Sequence, residues 1–166
     1  MIVAACNNNF LPRERQNGFI ATFSLVILVA VAEWLGVYLD GAAFEWRAAH
    51  IAAKFFEFSL TPVIPVVCAW AIGARKYIRW MALPLAANAA AQLLSAHFGF
   101  IFFVDADNLY HRRAWYCLYI AAFLMGTAYL FLHSYQLSRQ YQNRNGLLLA
   151  LILTFLMTGT GVQIIE

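Results

Sequence analysis

Charge is what this sequence has least of. Only 11% of its 166 residues are Asp, Glu, Lys or Arg, against about a quarter in soluble domains. So few charges cannot cover a water-facing surface, which argues against an ordinary soluble globule. Cysteine is scarce as well. Cys6, Cys68 and Cys117 are scattered, with no CxxC pair, so neither a disulfide framework nor a zinc site is spelled out. Cys68 and Cys117 fall in or beside apolar runs, where cysteine behaves as a small hydrophobe. GxSxG elbows, HExxH helices, Walker loops and GxGxxG turns are missing, so no catalytic residue and no cofactor is implied. Nucleic-acid contact has no carrier either, because the net charge of +3 follows from where the loops lie.

What is present is apolar, at 63% of the chain, with aromatics at 16%. A bilayer core about 30 Å thick takes roughly 20 apolar residues in helix. Five runs of that kind occur, at 18–39, 46–72, 80–98, 114–137 and 147–165. In so short a chain there is nothing but lipid to bury them. The expected fold is all-α, a polytopic transmembrane bundle of five spans. Residues 1–17 form a cytoplasmic tail and residues 18–166 the membrane domain. Val3-Ala4-Ala5-Cys6 resembles a lipoprotein cleavage box, but neither a basic segment nor an apolar stretch precedes it.

Basic residues favour the cytoplasmic side of a membrane. Arg13, Arg15, Arg75, Lys76, Arg79, Arg139 and Arg144 fall on one side of the expected spans. Arg47, Arg112 and Arg113 fall on the other, beside Asp40, Glu45, Asp105, Asp107 and Glu166. The expected topology is multi-pass, with the N-terminus cytoplasmic and residue 166 outside. The chain stops as soon as the expected fifth span emerges, so it reads either as a complete five-span protein or as a fragment cut in mid-architecture.

Polar residues inside spans are expensive and are by default functional candidates. Glu33 lies in the outer half of the first span. His50, Lys54, Glu57 and Thr61 share one helical face of the second, by their spacing of four, three and four. Asn88, Gln92 and Ser95 repeat the pattern in the third. Such stripes should turn inward, hydrogen-bonded across helices or lining a wet cavity. Glu33, Lys54, Glu57, Asn88, Gln92 and Ser95 are therefore the candidate ligand-binding set, with packing glue as the alternative. Lys54 and Glu57 can pair with each other. Pro62 and Pro65 interrupt the second span and mark a bend or hinge.

Between the third and fourth spans, the aromatic run Phe100-Ile101-Phe102-Phe103-Val104 leads into the turn residues Asp105, Asp107 and Asn108. Leu109, Tyr110, His111 and Arg112 follow. A short hairpin or lid over the outer end of the bundle is expected. Its carboxylates should cap the turn and pair with Arg112 or Arg113. The ligand set of a calcium loop is incomplete, and His50, His97 and His111 lack metal-ligand spacing, so no metal is assigned.

Residues 57–65, 88–95 and 101–112, with Glu33, resemble the N-terminal multi-span sensor region of bacterial GGDEF-type diguanylate cyclases. In that family an acidic residue in the first span precedes a Ser-Pro-x-x-Pro-like stretch, an Asn-to-Ser stretch and a loop of the form FxIDxDNxYHRG. Here Thr61 replaces the usual serine and Arg113 stands where glycine is commoner. The resemblance implies a sixth span, a downstream cyclase domain and dimerisation through that domain, all outside this sequence.

The expected function is a membrane-embedded, non-enzymatic sensory input module. Its partners are the bilayer and a small molecule arriving from outside. A small ion-coupled carrier using Glu33 and Glu57, or a structural subunit, are the alternatives.

Overall fold

The computed structural model describes residues 12–140. The expected fifth span, together with Cys6 and Arg144, lies outside the described residues.

The first helix, α1 (Arg13–Leu39), starts after Pro12, whose carbonyl accepts from the N–H groups of Arg15 and Gln16. Glu14 in its first turn complements the positive end of the helix. Gly18, Thr22, Val29, Ala32, Gly36 and Leu39 form its buried stripe. Most of these residues are small, which lets neighbouring backbones approach. A methyl on Gly18 would stand 2.7 Å from the Cα of Ala71, so the backbones of the two helical segments are in close contact there.

A single 3-10 turn (Phe44–Trp46) leads to α2 (Arg47–Leu60) and α3 (Val63–Ala71), which meet at a bend of 41°. The break follows from Pro62, which has no N–H to give the carbonyl of Phe58 four residues earlier. That carbonyl instead accepts from Asn88 Nδ2 at 3.0 Å. Thr61 Oγ1 donates to the Glu57 carbonyl at 2.6 Å, closing the last turn of α2.

The next helix, α4 (Ile78–Phe98), ends on Gly99 at φ 69°, whose N–H donates to the Ser95 carbonyl at 2.7 Å. Glycine adopts this left-handed conformation without the penalty a side chain would add. Strands β1 (Phe102–Val104) and β2 (Tyr110–Arg112) then pair antiparallel, with Phe103 opposite His111. A second 3-10 turn (Ala114–Tyr116) starts α5 (Cys117–Gln140).

In the bundle α1 packs on α2 and α3, α3 on α5, and α2 on α4. A methyl on Gly126 of α5 would lie 3.0 Å from the Pro62 carbonyl oxygen and 3.1 Å from Pro65 Cγ. Glycine there seats α5 directly on the break. The main core lies at the hairpin end, where Phe58, Ile101, Phe102, Tyr116 and Tyr119 cluster. The Phe58 ring meets Phe102 and Tyr116 edge-on, with centroids 5.7 and 5.6 Å apart. That geometry suits the aromatic quadrupole.

Among the described residues, two helical stretches are long and apolar enough to cross a membrane, Arg13–Leu39 and Ala114–Arg139. The bent pair Phe44–Leu60 and Val63–Ala71 makes a third if it counts as one span. The α4 helix has the length of a span but falls outside this set, because Arg79, Asn88, Gln92, Ser95 and His97 dilute its apolar content.

Candidate functional site

At the hairpin end of the bundle, α1, α2, β2 and the end of the second 3-10 turn line a cavity of about 240 Å³. Its wall includes Glu33, Gly36, Asp40, Lys54, Glu57, Phe58, Tyr110, Arg112 and Tyr116. Residues far apart in the chain meet here because the hairpin folds back over the end of α1.

Lys54 is the centre of the site. Its Nζ lies 2.9 Å from Glu57 Oε2, and each side chain is only 10% exposed. The ammonium also lies 4.9 Å from the Tyr110 ring centroid and 5.8 Å from that of Phe58. These ring faces offset part of the desolvation that a buried cation suffers. Gly36 makes the approach possible, since a methyl there would stand 2.8 Å from Lys54 Cε.

The hairpin is fastened above this pair by a set of directional bonds. Asn108, at φ 60°, donates from Nδ2 to the Leu39 carbonyl at 2.8 Å. Its Oδ1 then faces His50 Nδ1 at 3.1 Å, so that imidazole nitrogen carries the proton. Arg47 reaches the Val104 carbonyl with both Nε and a terminal nitrogen, at 3.0 and 2.7 Å. Asp40 Oδ1 accepts from the Tyr110 N–H at 2.8 Å. Burial pushes the Tyr110 phenol well above its ordinary pKa.

Asp105 orders the turn itself. Its Oδ1 accepts from the N–H groups of Asp107 and Leu109 at 3.0 and 2.9 Å, and its Oδ2 lies 2.7 Å from His111 Nε2. The His111 hydrogen bond, followed by the one from the Leu109 backbone, holds the Asp105 carboxyl below its usual range. The expected pairing of the turn carboxylates with Arg112 or Arg113 does not form. Those guanidiniums lie over the rings of Tyr116 and Phe103 instead, at 5.3 Å each. The tight Asp-to-His turn leaves both arginines pointing away from it.

Comparison with protein-family models, curated proteins and solved structures finds no match to this chain.

Of the six candidate ligand residues, Glu33, Lys54 and Glu57 line the cavity, whereas Asn88, Gln92 and Ser95 do not. The second group is spent on structure. Asn88 serves the Phe58 carbonyl, and Gln92 Nε2 donates to Asn88 Oδ1 at 3.3 Å. Ser95 Oγ accepts from the N–H groups of Ile101 and Phe102, at 2.8 and 3.1 Å, where the chain enters the hairpin. His50, on the same helical face as Lys54 and Glu57, is fully buried against Asn108. Of the outer-loop candidates, Tyr110 and Arg112 reach the cavity, while Asp105, Asp107, Asn108 and His111 build the turn.

Sequence reasoning did not single out Gly36, Asp40, Phe58 or Tyr116. Gly36 had a visible signal, since it lies three residues from Glu33 on the same helical face. Phe58 and Tyr116 had none, being two aromatics among many.

A larger cleft of about 630 Å³ lies beside the end of α1, lined by Leu35, Tyr38, Ala42 and Trp46 among others. Asp40 is its one charged residue, so it lacks the convergent polar groups that orient a ligand.

Proposed function

We propose that this chain is a membrane-embedded sensory input module that binds a small polar or amphipathic ligand in the outer cavity beneath the hairpin. The observation carrying this reading is the cavity itself, where Glu33, Lys54, Glu57, Tyr110 and Arg112 converge from three separate segments. A packing device would need the Lys54–Glu57 pair but not the space around it.

The membrane setting is supported by side chains that no neighbour covers. Val26, Ile27, Leu28 and Val31 stand exposed along α1. Trp34, Tyr38, Phe44, Trp46 and Trp115 are exposed towards the outer end, and Tyr77 and Trp80 towards the inner end. Aromatic rings at both ends of an apolar band match the interfacial belts of membrane proteins. In this reading the chain is multi-pass in a bacterial inner membrane, with five spans and its N-terminus cytoplasmic. The ligand arrives from outside and biases the bend at Pro62 and Pro65. An output of the diguanylate cyclase type, dimerising outside this sequence, rests on the loop resemblance alone.

The test is thermal unfolding of the purified chain in lipid nanodiscs against a library of small polar solutes, with flux of any hit measured in proteoliposomes. A ligand at about 100 times its Kd should stabilise the fold by about 2.7 kcal/mol. Stabilisation without flux supports the sensor, whereas flux of the same compound would assign a carrier. Absence of any stabilising solute would leave the polar stripes as packing glue.

A further inference from the structure

The cavity wall can be sorted into groups the protein has already used and groups it has not. Lys54 and Glu57 satisfy each other. Asp40 accepts the Tyr110 backbone N–H. The faces of Phe58 and Tyr110 are taken by the Lys54 ammonium, and that of Tyr116 by the Arg112 guanidinium. An aromatic cage for a quaternary ammonium is therefore not free.

Four polar groups remain, among them the Tyr110 hydroxyl, which is buried beside Arg112. Glu33, in the wall on the α1 side, has no hydrogen bond or ion pair among the described residues. Arg112, contributed by β2, has no carboxylate within ion-pair distance among the described residues. The Tyr116 hydroxyl is buried without a hydrogen-bond partner there, although the residue is only 7% exposed. A buried hydroxyl left unpaired costs about 1–3 kcal/mol, so its place in a cavity wall points to a ligand that satisfies it.

Glu33 and Arg112, both exposed and neither in an ion pair among the described residues, present an anion and a cation on separate elements of one cavity wall, which suits a ligand carrying both complements. The volume of about 240 Å³ equals roughly eight waters at about 30 Å³ each, which is below the drug-sized range. Three carboxylates against two cations in the wall disfavour a ligand with net negative charge.

We propose that the cavity binds a small zwitterion of the α-amino-acid type, its ammonium on Glu33 and its carboxylate on Arg112, with the Tyr116 hydroxyl as a third anchor. This rests on the ligand-binding reading above and names the chemical class of the occupant. Bridging Glu33 and Arg112, the ligand adds a tie between the hairpin and α1 beside those that Asn108 makes to Leu39 and Tyr110 to Asp40.

The experiment is calorimetric titration of the full chain in nanodiscs at pH 7 with L-alanine, L-serine and L-valine. Ethylamine and propionate, each L-alanine less one charged group, serve as truncated probes. At least one amino acid should bind, with both truncated probes about tenfold or more weaker, because each loses a charge-assisted contact. Glu33→Gln and Arg112→Gln should each weaken the amino acid about tenfold or more, while Glu33→Gln does not weaken propionate and Arg112→Gln does not weaken ethylamine, since each change removes a like charge from that probe's surroundings. Tyr116→Phe, which keeps the ring, should weaken it by a smaller factor. Equal affinity for ethylamine and L-alanine, indifferent to Arg112→Gln, would overturn the zwitterion and leave the ligand-binding reading standing. Silence of all five probes, with a different solute stabilising the fold, would also overturn the class alone. Silence of every solute would remove both.

Discussion

Asn88 gives a side-chain N–H to the carbonyl of Phe58 at 3.0 Å, in the place left empty because Pro62 has no N–H to offer. One helix thereby repairs a defect that proline creates in another. Asn88→Ala should destabilise the fold by about 1–3 kcal/mol, the cost of a buried carbonyl left unpaired. Pro62→Ala restores a backbone donor to that carbonyl, so Asn88→Ala in the Pro62→Ala background should cost clearly less. Denaturation of the four proteins of this double-mutant cycle in detergent micelles checks it, and additive effects would sink the idea.

The Lys54–Glu57 pair gives a second prediction. Both groups are nearly buried, and breaking such a pair leaves one charge without its partner, at a cost of about 3–5 kcal/mol. Lys54→Met alone should approach that loss, while Lys54→Met with Glu57→Gln should recover a good part of it. Chemical denaturation of the single and double variants decides. Equal losses would mean the lysine acts through packing alone.

A third concerns Asn108, which holds a left-handed backbone while bonding both Leu39 and His50. Asn108→Gly keeps the backbone and loses the side-chain bonds. Asn108→Ala loses the bonds and adds backbone strain of about 1 kcal/mol. Thermal unfolding should rank wild type above the glycine variant and the glycine variant above alanine, with about 2–4 kcal/mol between the extremes. An alanine variant at least as stable as glycine would contradict the role given to the positive φ.

The turn also has an acid limit. The Asp105 carboxyl titrates below its ordinary 3.8, so folding favours the ionised form. Its contribution is fully present above pH 3.8 and is lost as pH falls through the lowered folded value. Hydrogen exchange at the Asp107 and Leu109 amides should therefore accelerate on acidification below pH 3.8. In Asp105→Asn the step should vanish. Persistence of the step in that variant would assign it to another group.

Legibility in the sequence followed chemistry that is local. The bend in the second apolar run was visible because a proline lacks its N–H wherever it sits. The hairpin was visible because Asp105, Asp107 and Asn108 are turn residues between aromatic, β-branched segments. The polar stripe Asn88, Gln92 and Ser95 was visible too, but its use was not. Helical spacing places residues on one face without saying whether that face meets a carbonyl, a loop or a void.

The sequence by itself determined that this chain is helical, that it carries long apolar helices, and that Lys54 and Glu57 are neighbours. Those properties depend on composition, period and three-residue spacing. Only the tertiary structure decided where the remaining charges go. Whether Glu33 and Arg112 share a cavity depends on how the hairpin returns over α1, and that is set by Asn108, Arg47 and Asp40 acting across distant parts of the chain. The low charge content that first marks the sequence takes its meaning from that placement. With so few ionisable groups, two that form no ion pair among the described residues yet share one cavity wall are where a charged ligand would find its complements.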